Sequence, residues 1–176
     1  MALVAFLRGV NVGGHRTLRP AMLAKELADL DVVNIGAAGT FVIRQPVAQT
    51  RVRAELARRL PFEAEIMICR GRDILQLMSH RHFAGQRPRP DIVRFVSVLS
   101  RNPRSAPSPP VSLPASGKWL LKVLAREHRF VFGVYRRQVR AISYLGEIDQ
   151  LFGVPATTRN WNTIKAIAKV LENGQT

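Results

Sequence analysis

Cysteine and acidic residues are scarce in this chain. Its 176 residues include one cysteine, Cys69, and 12 Asp and Glu against 27 Lys and Arg. A single cysteine cannot form an internal disulfide, which fits a reducing compartment, and its strand-like surroundings indicate a small core residue. No apolar run approaches the roughly 18 residues of a membrane span. The N-terminal run ends at Arg8 and predicts a strand, not a signal peptide. We therefore expect a cytoplasmic protein without a membrane partner.

Motifs for catalysis and metal binding are also missing. His80 and His82 are two residues apart, but no third or fourth zinc ligand lies near them in the sequence. No pair of carboxylates has a spacing typical of general acid–base catalysis, and the G-x-S-x-G elbow is absent. We expect no metal and no cofactor. The catalytic residues are unknown, and the sequence leaves open whether the protein is an enzyme.

The apolar pattern predicts an α+β fold of two ferredoxin-like halves, each of the β-α-β-β-α-β type with an antiparallel sheet. The first half is expected at residues 1–80. Its strands are expected at residues 2–7, 31–35, 40–43 and 63–69, and its helices at residues 20–30, 47–60 and 72–80.

The second half, residues 81–176, shows this order less completely, and no sequence repeat supports the comparison. Five prolines in residues 101–117 exclude a regular helix or strand there, so we expect a long surface loop. The other expected elements are a strand at 91–99, a hairpin of 118–125 and 129–135, a short helix at 144–152 and a C-terminal helix from near Arg159 to Leu171.

Positive charge is concentrated in the middle of the chain. The net charge is +15, and residues 70–140 hold 15 basic and three acidic residues. Arg accounts for 22 of the 27 basic residues. Its guanidinium suits phosphate contacts, although a GC-rich genome also encodes arginine freely. This segment is therefore either a nucleic-acid surface or a solvated basic face, and the sequence does not decide between them. The candidate phosphate contacts are Arg87, Arg89, Arg101 and Arg104. The candidate stacking aromatics are Phe83, Phe95 and Trp119.

A glycine-rich turn, residues 9–14, follows the first strand and precedes the first helix. Backbone N–H groups of such turns can bind phosphate. The spacing of Gly9 and Gly14 is that of a P-loop, but His15 occupies the position of the essential lysine, so we exclude a P-loop NTPase. The turn either needs positive φ at its glycines or forms an anion site.

A second polar cluster lies at residues 157–163. We expect Thr158 to cap the last helix. Trp161 then joins a buried stripe, and the other polar residues lie where free backbone N–H groups point outward. These residues are Arg159, Asn160, Asn162 and Thr163. Capping explains part of this polarity, and a functional site is the other explanation.

These two segments together resemble the domain-of-unknown-function 1697 family. LRGVNVGG at residues 7–14 resembles the family's opening, and GVPATTRNWNTIKAIAKV at residues 153–170 resembles its TxRNWNT closing signature. The resemblance implies two ferredoxin-like halves in a bacterial, cytoplasmic protein, and it implies no activity. Residues 37–40 read AAGT where the family usually has a polar Q-S-G-N, which counts against a shared enzymatic activity.

We hypothesise that the two motifs meet in one polar pocket, where Arg8, Asn11, Arg159 and Asn162 converge on an anionic ligand. The expected ligand-binding residues are Arg8, Asn11, Gly13, Gly14, Arg159, Asn160, Asn162 and Thr163. The sequence thus favours a binding module for an anionic small molecule or nucleic acid. An enzyme acting on a small phosphate-bearing substrate is the alternative, and a structural role of both motifs is the third. The sequence does not determine the oligomeric state.

Overall fold

The computed structural model describes residues 1–11 and 14–174, and the chain divides into two compact units. The first unit contains Met1–His80 and the chain from Asn162 onward, and the second contains Arg81–Trp161. The C-terminal helix was expected with the second half, whereas it clusters with the first unit. Within the described ranges, no helix combines the length and the apolar character needed to cross a bilayer.

The first unit has the ferredoxin-like order of elements. These are β1 (Leu3–Leu7), α1 (Pro20–Glu26), β2 (Val32–Asn34), β3 (Thr40–Ile43), α2 (Gln49–Arg59), β4 (Ile66–Arg70) and α3 (Gly71–Leu77), with a 3-10 turn at Ala28–Leu30. The strands pair antiparallel in the order β2-β3-β1-β4. This is the strand order of the predicted β-α-β-β-α-β fold.

Local sequence explains where these elements begin and end. β1 is an apolar run with all five residues buried, as suits a central strand. Pro20 occupies the first turn of α1, where its missing N–H costs nothing. α2 buries Val52 and Leu56 on one face. It ends before Leu60, which precedes Pro61 and is held in an extended conformation.

The second unit repeats this topology with one helix missing. Its elements are β5 (Ile92–Leu99), β6 (Val111–Leu113), β7 (Leu121–Glu127), β8 (Phe130–Arg136), α4 (Val139–Gly146), α5 (Ile148–Phe152) and β9 (Ala156–Asn160), after which α6 (Trp161–Asn173) begins. The sheet order is β6-β7-β8-β5-β9. Apart from β6, this is the order of the first sheet, with the proline-rich segment in place of the first helix.

The structure corrects three sequence-based expectations in this unit. The proline-rich segment contains a short strand, β6, which pairs with β7. This is possible because residues 111–113 lack proline and an edge strand pairs on one side. The helix expected at 144–152 begins earlier, as α4. Residues 156–160 form β9 instead of starting the last helix, since the β-branched Thr157 and Thr158 suit a strand.

Candidate functional site

Asn11 holds the glycine-rich turn together. It has a positive φ of 58°. Its Nδ2 donates hydrogen bonds to the carbonyl oxygens of Leu18 at 3.0 Å and Ala37 at 2.8 Å, and its Oδ1 accepts the Leu18 N–H at 2.7 Å. Asn11 thus uses its amide group to join the turn to Leu18 and to Ala37. Gly9 and Gly14 also have positive φ, which supports the conformational explanation of the turn. Gly13 lies outside the described residues.

Arg8 lies beside this turn in an open cleft of about 590 Å³. Its Nη1 forms an ion pair with Glu65 Oε1 at 2.8 Å. The cleft is also lined by Arg16 and Glu63, and the Arg16 guanidinium lies 4.9 Å from the centroid of the Phe62 ring. Two guanidinium groups thus face two carboxylates. The cleft has no excess of positive charge, so its electrostatics do not favour an anion.

Arg159 does not lie at a helix N-terminus, because it belongs to β9. Its side chain is buried, with 6% of the residue exposed. Its Nη1 donates to Thr157 Oγ1 at 2.7 Å and to the Thr158 carbonyl oxygen at 2.9 Å. Burial lowers the pKa of Arg159 to about 10, so the guanidinium still carries its charge at neutral pH. Thr158 is likewise a strand residue, and its hydroxyl lies 2.6 Å from Ser97 Oγ on the neighbouring strand.

The remaining residues of the second motif are divided between the units. Asn160 is exposed at the end of β9, whereas Asn162 is exposed and Thr163 half-buried at the start of α6. Asn160 belongs to the second unit, and Asn162 and Thr163 to the first. The convergence of both motifs on one ligand stays a prediction.

The second unit also brings a carboxylate to a histidine that the sequence left isolated. His82 Nε2 lies 3.4 Å from Glu127 Oε1, and the His82 ring lies 4.6 Å from the ring centroid of Phe132. The two residues are 45 positions apart in the sequence, so local spacing could not pair them.

One end of the second sheet gathers three basic segments, residues 87–91, 118–122 and 136–140, which we call the Trp119 end. Two backbone hydrogen bonds join them: the Arg136 N–H donates to the Leu120 carbonyl oxygen and the Arg137 N–H to that of Asp91, each at 2.9 Å. These segments contain a single acidic residue, Asp91. Their basic residues are Arg87, Arg89, Lys118, Lys122, Arg136, Arg137 and Arg140.

Trp119 lies among these cations and is half-buried. The guanidinium of Arg136 lies 4.0 Å from the centroid of its ring, and the Lys122 ammonium lies 4.7 Å from that centroid. Arg136 is also fixed at its other atoms, because its Nε donates to the Trp119 carbonyl oxygen at 2.7 Å and its Nη1 lies 3.9 Å from Asp91. Cations over an indole face are stabilised by the ring quadrupole.

Most of the positive charge at this end is not neutralised. Asp91 accepts two hydrogen bonds from Arg89, at 2.9 Å each. Arg87, Lys118 and Arg140 are exposed, and within the described part of the chain their side chains form no ion pair. Seven cations and one carboxylate therefore leave this end strongly positive.

The four arginines predicted to contact phosphates lie at two ends of one strand. Arg87 and Arg89 precede β5 and belong to the Trp119 end, whereas Arg101 and Arg104 follow it. β5 lies between the pairs, and its eight residues span roughly 23 Å at the usual rise per residue. All four are exposed, but they do not form one compact patch.

Two of the three aromatic candidates cannot stack on bases, because they belong to the core. Phe95 is fully buried and Phe83 is 8% exposed, and Phe83 packs edge-on against Phe132 and Trp161. The sequence indicates Trp119 as a candidate, but its local patterns do not indicate Lys122, Arg136, Arg137 or Arg140. The predicted hairpin contained the signal, since pairing residues 118–125 with 129–135 already brings the two basic segments to one end.

Comparisons with known proteins agree with the fold and assign no activity. The family model for proteins of unknown function named DUF1697 matches residues 1–117, which include the first motif and not the second. None of the curated proteins matches the chain. A solved structure of a conserved bacterial protein from Streptococcus pneumoniae is similar, with a TM-score of 0.58 and 16% identity over 97% of this chain and 98% of that chain. At this identity the likeness concerns the fold. With more than half of its length matched by the family model, the chain belongs to the DUF1697 family of proteins of unknown function.

Proposed function

We propose that the protein binds nucleic acid through the Trp119 end of its second unit. The observation that carries this proposal is the seven-to-one ratio of cations to carboxylates in three segments joined by backbone hydrogen bonds. Phosphate contacts from Lys and Arg supply most of the affinity of sequence-independent nucleic-acid binding. Arg provides the planar donor pattern that phosphates accept.

The cleft beside the glycine-rich turn is a weaker candidate for an anion-binding site. Its two guanidinium groups are balanced by Glu63 and Glu65, and Arg8 is already paired. Glu65 would compete with a small phosphate-bearing ligand for Arg8. At the Trp119 end, three cations are exposed and unpaired within the described ranges, so phosphates can contact them without breaking an ion pair.

Two double variants test this proposal with a matched change in charge. Arg87→Gln with Arg140→Gln removes two exposed cations of the Trp119 end. Arg101→Gln with Arg104→Gln removes two exposed cations at the opposite end of β5. All four side chains lack an ion pair within the described residues, so both variants lower the net charge equally and should leave folding stability nearly unchanged.

The measurement is the anisotropy of fluorescent oligonucleotides during a salt titration. We expect the wild type to bind with an affinity that falls steeply with salt. The first variant should reduce the slope of log K against log salt by about 1.4 to 1.8, and the second should leave it unchanged. Equal losses in both variants, or no binding by the wild type at low salt, would contradict the proposal.

A further inference from the structure

Resting on the proposed function, we infer that the Trp119 end recognises single-stranded nucleic acid, with one unpaired base stacked on the indole of Trp119. Base–aromatic stacking is independent of sequence, because every base has a π face, and it requires a strand whose bases are not already stacked in a duplex. Three features of the Trp119 end favour such binding.

The first feature is that the two cations over Trp119 differ in how firmly they are held. Arg136 is anchored by the Trp119 carbonyl oxygen and by Asp91, and 15% of its side chain is exposed. No hydrogen bond or ion pair holds the Lys122 ammonium within the described residues, and its contact is with the ring at 4.7 Å. A base can therefore displace Lys122 from the ring, and the ammonium is then free to contact the adjacent phosphate.

The second feature is the surroundings of the ring. Lys118 and Lys122 flank Trp119 in the sequence, and Arg136 lies against it. An aromatic ring interleaved with cations is the arrangement by which proteins bind a single strand: the cations follow the backbone and the ring receives a base. Duplex DNA or RNA presents the same phosphates to these cations and offers the ring no unpaired base.

The third feature is an apolar flank at the start of α4. Val139 is 87% exposed and Ile142 is 61% exposed. They are three residues apart, so they share one face of the helix. Val139 belongs to the Trp119 end and adjoins Arg140 in the sequence. Exposed aliphatic side chains beside cations offer an apolar surface to the faces of unstacked bases, which a duplex keeps inside its own stack.

The test compares four probes of similar length. They are a fluorescent 12-mer of thymidine, the duplex of this strand with a 12-mer of deoxyadenosine, an abasic 12-mer with the same number of phosphates, and inorganic polyphosphate. Each is titrated against the wild type, Trp119→Ala and Trp119→Phe. We expect the single strand to bind more tightly than the duplex or the abasic strand. Trp119→Ala should weaken single-strand binding by about 5- to 150-fold relative to the wild type. Trp119→Phe should weaken it less, because the phenylalanine ring can still stack on a base. The affinity for the abasic 12-mer should differ little between the wild type and the two Trp119 variants.

Trp119 fluorescence gives a second readout. The chain has two tryptophans, Trp119 and Trp161. The difference in emission between the wild type and Trp119→Phe isolates Trp119 without disturbing the packing of Trp161. Thymidine 12-mer should quench this difference signal, and the abasic 12-mer should leave it nearly unchanged. Thermal melts check that both Trp119 variants fold.

The outcomes separate the inference from the function on which it rests. If the abasic strand binds as tightly as the thymidine strand and neither quenches Trp119, stacking is wrong and polyanion binding stands. If the duplex binds more tightly than the single strand, the inference is also overturned. If none of the probes binds at low salt, the proposed function itself fails.

Discussion

The guanidinium of Arg136 contacts both the ring and the backbone of one residue, Trp119. It lies 4.0 Å from the ring centroid, and its Nε donates a hydrogen bond of 2.7 Å to the Trp119 carbonyl oxygen. One side chain thus fixes the indole and the segment that carries it. Because only 15% of the Arg136 side chain is exposed, water has little access to replace these contacts.

Arg136→Met should therefore destabilise the second unit. Methionine keeps much of the apolar length but removes the hydrogen bond to the Trp119 carbonyl and the cation over the ring. We expect the free energy of unfolding in urea to fall by about 1 to 3 kcal/mol. Arg137→Met is the control, because the exposed Arg137 donates to the Pro90 carbonyl, where water can replace it. Its loss should stay below about 1 kcal/mol. Equal losses would mean that Arg136 does not hold Trp119.

Gly133 makes close contact across the middle of the second sheet. A Cβ atom added there would lie 2.5 Å from the Lys122 carbonyl oxygen and 2.3 Å from Phe95 Cζ. Since the carbonyl belongs to a paired strand, Gly133→Ala should lower the free energy of unfolding by more than about 3 kcal/mol. Gly146→Ala, at the end of α4 with no atom within 4 Å of the new Cβ, should be neutral or raise it by up to about 1 kcal/mol. A Gly133→Ala protein with an unchanged free energy of unfolding would refute this packing.

Local patterns predicted the four strands of the first sheet and three strands of the second sheet, β5, β7 and β8. Continuous apolar runs indicated β1 and β5, and the turn near His128, which has a φ of 53°, separated the two strands of the hairpin. The boundaries of the elements differ from the expected ones by a few residues, as at α2, which was expected at residues 47–60 and spans Gln49–Arg59. β9 was misread because Thr158 is suited both to a helix cap and to a strand, and its pairing with Ser97 is a contact that no local pattern reveals.

The residues of the proposed nucleic-acid surface were harder to predict, because they come from segments that are distant in the sequence. Sequence alone marked Arg87, Arg89 and Trp119, but not their neighbours Lys122 and Arg136, whose positions depend on strand register. The sequence also could not show that Glu65 neutralises Arg8 from 57 positions away. The burial of Arg159 likewise depends on the sheet in which β9 lies.

Asn11 should contribute to stability even without a ligand. Asn11→Ala removes three hydrogen bonds and leaves at a φ of 58° a residue that tolerates positive φ less well than asparagine does. We expect the free energy of unfolding to fall by about 1 to 3 kcal/mol. Asn11→Gly removes the same hydrogen bonds and accepts positive φ, so it should be more stable than the alanine variant by roughly 1 kcal/mol. Urea unfolding measures both. Unchanged stability in both variants would show that Asn11 does not organise the turn.

Glu55 should make the stability of the first unit depend on pH in the acid range. Hydrogen bonds from Arg58 and Arg59 lower the pKa of Glu55 from its usual 4.5 to about 2. Because the folded state holds this carboxylate ionised, its stabilisation is complete above pH 4.5 and disappears as the pH falls towards 2. Glu55→Gln should therefore have a lower Tm than the wild type at pH 7, and the two Tm values should converge between pH 4.5 and 2. Glu26→Gln, which removes a carboxylate with no ion pair within the described residues, is the control in the same thermal melts. A Tm difference for Glu55→Gln that persists unchanged at pH 2 would show that the effect does not come from these ion pairs.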